Sequence, residues 1–378
     1  MKKILLGSTV LVGAAALFAG AAFAGETPKV TLGGTSDFQV GVVSEDQDTN
    51  LRSSAFRTET ELNVKIDAKT DAGLGYGGQF DLAVSSHNDQ DATADQVNHS
   101  WVYLDGMWGR LEGGSTYGVT STMKVDASKI ARATGGIDGD FNYFMSSTAG
   151  RVIATPDLYL DYGTTGGAQL GDESQEAINK VNYYTPRFAG FQAGVSFLFD
   201  TTGADRGIAL SRSDNDSGEA ENVFLLGLNY EGKFDQIGFK AGATGELGNA
   251  EFATQNDLRA WNAGAQVDFM GFSVAGSYGS YGDSLQLKTT GSDSGTHYWT
   301  LGGAYEYGPF GASVTYLDSR VDLGATHNDF SNLSIGADYK LAPGLTPYAE
   351  VSFVQLDPTG TVNDNDATVF IAGTQLAF

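Results

Sequence analysis

Cysteine is absent from the 378 residues, and proline occurs only 7 times. No disulfide framework, thiol nucleophile or thiolate metal site can be built from this chain. Basic residues are scarce as well: 22 Lys and Arg stand against 46 Asp and Glu, a net charge of -24. Such a chain repels a polyanion, so nucleic acid is excluded as a partner. Beyond the first 24 residues no run approaches the roughly 20 apolar residues that a spanning helix requires, and mean hydropathy is -0.18. A transmembrane β-barrel escapes that last exclusion. Its strands alternate lipid-facing and water-facing residues, so one face is greasy while the average stays low.

Glycine is plentiful, at 51 residues, and 22 Phe, 17 Tyr and 4 Trp accompany it. This is the composition of strands and turns rather than of helices. The first 24 residues read as a secretory signal peptide: Lys2 and Lys3, an apolar stretch from Ile4 to Phe18, and Ala22-Phe23-Ala24 as a small-x-small cleavage site. Its removal takes two positive charges away and leaves a net charge of -26 on residues 25–378.

Period-two alternation recurs along those residues. Phe56, Thr58, Thr60, Leu62, Val64, Ile66 and Ala68 share one parity, and Arg57, Glu59, Glu61, Asn63, Lys65, Asp67 and Lys69 share the other. At helical spacing the same charges would scatter around the cylinder, so the segment reads as a strand with one dry face. Comparable segments predict strands over 30–43, 54–69, 73–87, 94–105, 108–117, 178–188, 190–200 and 221–232. They continue over 237–247, 258–269, 272–282, 296–307, 310–321, 329–341, 345–356 and 367–378. In 310–321 the alternation slips at Leu317, as at a bulge or a strand end. Segment 94–105 is the weakest, with bulky residues on both parities.

The connections alternate too. Short turns such as Asp71-Ala72-Gly73, Ala189-Gly190, Met270-Gly271 and Gly308-Pro309 take turns with long polar loops such as 201–220 and 283–295. Short turns at one end and long loops at the other fit an outer-membrane barrel. Aromatic residues gather at strand ends, among them Trp108, Tyr183, Tyr184, Trp299, Tyr305, Tyr307 and Tyr339, as rings at the headgroup level do. Together these features predict an all-β fold, a 16-stranded antiparallel transmembrane barrel. A soluble sandwich is the competing fold, but it would need a second layer to cover so many greasy faces.

One connection breaks the rhythm: 118–177 is far longer than ordinary loops. It carries Ile130, Ile137, Phe141, Phe144 and Met145, too much apolar surface to leave in water. It is therefore expected to fold back into the barrel.

The strand opening Val30-Thr31-Leu32-Gly33-Gly34, the insertion after Gly109-Arg110-Leu111-Glu112-Gly113-Gly114, and the segment Tyr184-Thr185-Pro186-Arg187-Phe188-Ala189-Gly190-Phe191 resemble a Gram-negative general diffusion porin of the alphaproteobacterial type. The resemblance covers residues 25–378 and implies a homotrimer of 16-stranded barrels in outer-membrane lipid, each narrowed by the third external loop. It also implies that Phe378, after Phe370, Ala372, Thr374 and Leu376, is the signal read by the barrel-assembly machinery. The Pro-Glu-Phe-Gly-Gly loop signature of enterobacterial porins is absent.

A barrel of this size encloses water, and the charges at its narrowest point set its selectivity. The loop acids Asp126, Asp138, Asp140, Asp157 and Asp161 are the candidates for one side of that constriction. The wall bases Arg57, Lys65, Lys69, Arg110 and Lys180 are the candidates for the other, facing them across a transverse field. The acid excess then predicts a passive pore for small hydrophilic solutes with moderate cation selectivity. A substrate-specific porin and an exported soluble surface protein or adhesin are the alternatives.

No catalytic constellation stands out, and an enzyme is not expected. Asp46-Gln47-Asp48-Thr49-Asn50 has Leu51 where an EF-hand needs glycine. His87, His99, His297 and His327 lack zinc spacing and are expected in solvent or at the membrane interface. No cofactor is expected, apart from adventitious calcium at Asp214-Asn215-Asp216 or Asp364-Asn365-Asp366.

Overall fold

Each alternating segment forms a strand in the computed structural model, which describes residues 25–46, 52–83, 97–146, 178–201, 220–288, 295–322, 326–358 and 364–378. In chain order these are β1 (Lys29–Glu45), β2 (Ser54–Lys69), β3 (Gly75–Ala83), β4 (Val97–Gly106), β5 (Gly109–Ser115) and β6 (Asn179–Tyr184). There follow β7 (Phe191–Asp200), β8 (Ala220–Phe234), β9 (Ile237–Ala250), β10 (Leu258–Phe269) and β11 (Phe272–Gly282). The last five are β12 (Thr296–Tyr307), β13 (Phe310–Asp322), β14 (His327–Tyr339), β15 (Leu345–Asp357) and β16 (Ala367–Ala377).

Neighbours in sequence pair antiparallel, and β1 pairs with β16 to close the barrel. Gly34 and Phe378 exchange both backbone hydrogen bonds, each 3.1 Å, at the seam. Closure leaves no strand edge, which a segment surrounded by lipid requires because nothing there can pair a free N–H. β5 and β6 are short. Beyond Tyr184 the chain reaches Pro186, which has no N–H for the ladder.

The short turns cluster at one end. Ala189-Gly190 and Met270-Gly271 take positive φ at both positions, 49° and 89° in the first and 49° and 88° in the second. That is the geometry whose twist matches a two-residue hairpin. The outward parity carries an exposed apolar belt including Val42, Phe56, Leu226, Leu301, Val314 and Phe353. Rings bound it on both sides: Phe191, Phe272, Tyr305 and Phe310 toward the turns, and Phe199, Trp261, Tyr278 and Trp299 toward the loops. Tyr184 is an exception to the expected girdle. Its hydroxyl bonds Thr122 inside the barrel at 3.0 Å.

The slip expected at Leu317 is absent. β13 keeps continuous register with both neighbours, and Leu317 is buried on the inward face. The inner wall itself turns apolar toward the loop end, where Val43, Leu317, Val321, Phe330, Leu356, Val369 and Ile371 join one buried core. Asp318 and Arg320 stay on the outward parity, beyond the apolar belt.

Candidate functional site: the inward loop and the lumenal wall

After Ser115 the chain turns into the barrel. Lys180, buried at the root of the loop, donates to the carbonyls of Thr116 and, at 2.8 Å, Ile178. Asn182 donates to the Tyr117 carbonyl at 2.8 Å. From there the described part of the long loop, residues 118–146, follows the inner wall.

A five-residue helix, α1 (Val119–Met123), lies against β7, β8 and β9. Three short 3-10 turns succeed it: Ala127–Ile130 on β11–β13, Gly136–Asp138 on β13–β15, and Asp140–Tyr143 against β16. Val119, Met123, Ile130, Ile137, Phe141 and Met145 are buried in this packing, so the loop's apolar surface finds cover inside the barrel as expected.

Two features of the wall admit the loop. The first is a set of inward-facing glycines. A Cβ at Gly194 or Gly227 would stand 2.7 Å from the Met123 sulfur; at Gly264 it would collide with the Val125 carbonyl, and at Gly41 with the Phe144 ring. The second is a set of polar side chains that satisfy the loop's backbone N–H groups, which irregular structure leaves unpaired. Ser196 accepts from Val119 at 2.9 Å, Ser313 from Arg132 at 2.9 Å, Thr315 from Ile137 at 3.2 Å and Glu350 from Gly136 at 3.1 Å. Arg132 adds a two-pronged bond to Asp338, at 2.6 and 2.8 Å, and reaches Glu306 at 3.2 Å.

On the opposite wall, β2 and β5 stay wet. Glu59 is 53%, Lys65 51%, Asp67 39% and Arg110 38% exposed although all four point inward. Side chains that face the axis of a closed barrel and still meet solvent define a water column between this wall and the loop.

The charges expected to line a constriction divide into five pairs. Arg57 and Asp140 meet, 3.2 Å apart, with Arg57 also 3.9 Å above the Tyr143 ring. Burial pushes the Asp140 carboxyl above the usual carboxylate range, while Arg57 pulls the other way. Asp138 and Lys69 are exposed. Lys65 and Arg110 face the lumen, but each is paired along its own strand with the acid two residues on: Lys65 with Asp67 at 3.4 Å, Arg110 with Glu112 at 2.6 Å. Arg57 likewise holds Glu59 at 2.6 Å. The wall is therefore a row of local ion pairs in place of the basic face expected opposite an acidic loop. Asp126 and Lys180 are buried: Asp126 caps a 3-10 turn through Ser128 at 2.8 Å and pairs with Lys124 at 3.6 Å. Neither presents surface to the water. Asp157 and Asp161 lie outside the described residues.

His99 departs from its expected place in solvent or at the interface. It is buried inside the barrel, its ring 4.6 Å from that of Tyr117 and its Nδ1 3.7 Å from Asp81. On the same inward parity of β4, Trp101 meets the His99 ring edge-on and Tyr103 donates to Asp67 beneath the Arg110 guanidinium. His87 and Asp214-Asn215-Asp216 lie outside the described residues. Among the described residues no three His, Asp or Glu gather into a metal cage, at Asp364 and Asp366 or elsewhere. Sequence reasoning missed Gln39, Asp338, Tyr348 and Glu350, four inward strand residues that hold the loop or its contacts. The parity of β1, β14 and β15 would have placed them inside.

The family profile described as Gram-negative porin matches residues 7–359. Two uncharacterized proteins, from Rickettsia conorii and Rickettsia felis, are each 26% identical over the full length of both chains. The outer membrane porin protein 32 of Delftia acidovorans is 26% identical over 53% of this chain and 50% of its own. Among solved structures, a triple mutant of the Rhodopseudomonas blastica porin superposes with a TM-score of 0.57 at 16% identity, over 93% of this chain and 100% of that one. A loop-deletion mutant of OmpT, an outer membrane protein of Vibrio cholerae, gives 0.59 at 13% identity over the same shares. With the profile running through all but the last strand, the chain belongs to the Gram-negative porin family, and its barrel is an outer-membrane channel rather than an enzyme.

Proposed function

We propose that this channel is a general diffusion pore for small hydrophilic solutes and ions, narrowed by the loop over 118–177 and moderately cation-selective. The observation that carries the reading is the wet, charged inner face of β2 and β5 opposite an inward-folded loop inside a closed barrel. Selectivity follows from the acid excess, since a low-dielectric wall focuses the potential of fixed charges on the water it encloses. A substrate-specific track for anions would need consecutive unpaired bases. Lys65 and Arg110 instead have acids beside them.

The test is electrical. Asp138→Asn with Asp140→Asn is expected to lower the preference for potassium over chloride in reversal potentials under a salt gradient; an unchanged ratio would remove both residues from the passage. Because burial holds Asp140 above ordinary carboxylates, the wild-type preference should begin to fall during acidification before exposed acids titrate. Protonation removes a negative charge, so the sign is a loss of cation preference as pH drops, and Asp140→Asn should lack that early step.

The same reading takes the protein as a homotrimer in outer-membrane lipid, its leader cleaved after Ala24, with Phe378 addressing it to the barrel-assembly machinery. Deleting Phe378 is expected to reduce the folded, heat-modifiable form in outer-membrane fractions several-fold. The deletion also removes the paired bonds to Gly34, so refolding of the purified variant into detergent separates the two effects: an assembly signal predicts near-normal refolding.

A further inference from the structure

We infer that Asp37 and Glu59, neighbours on β1 and β2, set the charge preference of the passage. The assignment rests on the channel reading above and locates its selectivity on the wall in addition to the loop. Strand register places Asp37 directly opposite Glu59. Like charges in that arrangement destabilise a sheet, and the one pairing that offsets them is shared with a third acid. The nearby guanidinium, Arg57, is engaged by Glu59 at 2.6 Å and by Asp140 at 3.2 Å. Three carboxylates thus share one cation.

Asp37 is held differently. The Tyr348 hydroxyl donates to both of its oxygens, at 2.7 and 2.8 Å, and itself accepts from Gln39 at 3.0 Å. A neutral donor fixes the carboxylate without cancelling its charge. Gln39, fully buried, also donates to Asp140. One network therefore ties the tip of the inward loop to the two wall acids.

Depth supports the assignment. Residue 37 lies midway along β1, and Glu59 sits at the same level on β2, where Asp140 and Tyr143 bring the loop against the wall. Among the described residues, a cation crossing this level meets two fixed carboxylates in excess of the single Arg57. An anion meets the same excess with opposite sign.

The experiment compares potassium-to-chloride permeability ratios for the wild type, Asp37→Asn, Glu59→Gln, the double variant and Glu59→Asp in planar bilayers under a potassium chloride gradient. Both amides keep the size and hydrogen-bonding reach of the acids they replace. The double variant is expected to lose several-fold in the ratio, because each unit charge removed makes the passage less favourable for potassium and more favourable for chloride. Its conductance steps should persist, and Glu59→Asp should retain the wild-type ratio. A double variant that conducts with the wild-type ratio would overturn the assignment and leave the channel reading standing. A wild-type protein that conducts with no cation preference would overturn the assignment together with the cation selectivity proposed above.

Discussion

Gly264→Val is expected to destabilise the barrel by about 3 kcal/mol and to reduce its single-channel conductance. Gly264 faces inward on β10, where even a first side-chain carbon would collide with the Val125 carbonyl. The colliding atom is backbone, so no rotamer change relieves the contact. Either the wall bows or the loop moves off it, and overpacking of this kind costs about 1–3 kcal/mol. Movement off the wall carries the loop toward the water column, hence the lower conductance. Gly113→Ala is the control: nothing lies within 4 Å of a carbon added there. The temperature at which the folded band disappears on SDS gels should fall for Gly264→Val and stay unchanged for Gly113→Ala.

The second large effect belongs to Arg132. Its two-pronged bond to Asp338 and its contact with Glu306 pin the middle of the loop to β14 and β12. Arg132→Met keeps most of the aliphatic stem and removes the charge, leaving Asp338, only 9% exposed, without that partner. Breaking one side of a buried pair costs about 3 kcal/mol. Much of this is the stranded carboxylate, so Asp338→Asn in the Arg132→Met background should recover part of it. A double-mutant cycle on the same heat transition measures the coupling. Additive single effects would show that the pair does not hold the loop.

The barrel was legible because parity is a local property. In β2 a single glance at Phe56 to Lys69 separates the lipid face from the water face, and the structure keeps that division. Turn chemistry marked the Ala189-Gly190 hairpin for the same reason, but the strand expected over 178–188 ends at Tyr184, before Pro186. Parity gives a side, however, and says nothing of depth or of what covers a residue. Leu317 looked like a slip because an inward leucine seemed out of place; the inner wall is apolar there, and the alternation never breaks. Asp126 and Lys180 carried the charge and position of pore residues, yet one caps a turn and the other clamps the loop root. The acids beside Arg57, Lys65 and Arg110 were visible in sequence, but only side-chain geometry shows that each base pairs along its own strand.

A usable signal went unread in the glycines. Gly194, Gly227, Gly264 and Gly41 all fall on the inward parity, where a strand gains nothing from a missing side chain unless another piece of backbone lies against it. Read together, they trace the loop's path around the wall before any coordinates exist.

The water column can be tested directly, and the lack of native cysteine makes the test clean. Single substitutions Lys65→Cys, on the lumenal wall, and Leu226→Cys, on the apolar belt, would be exposed to a charged, membrane-impermeant thiol reagent after reconstitution into lipid. Rapid labelling of the first with a stepwise fall in conductance, and protection of the second, is the predicted result. Labelling at Leu226→Cys with Lys65→Cys unreactive would place water on the wrong face of the strands and contradict the channel itself.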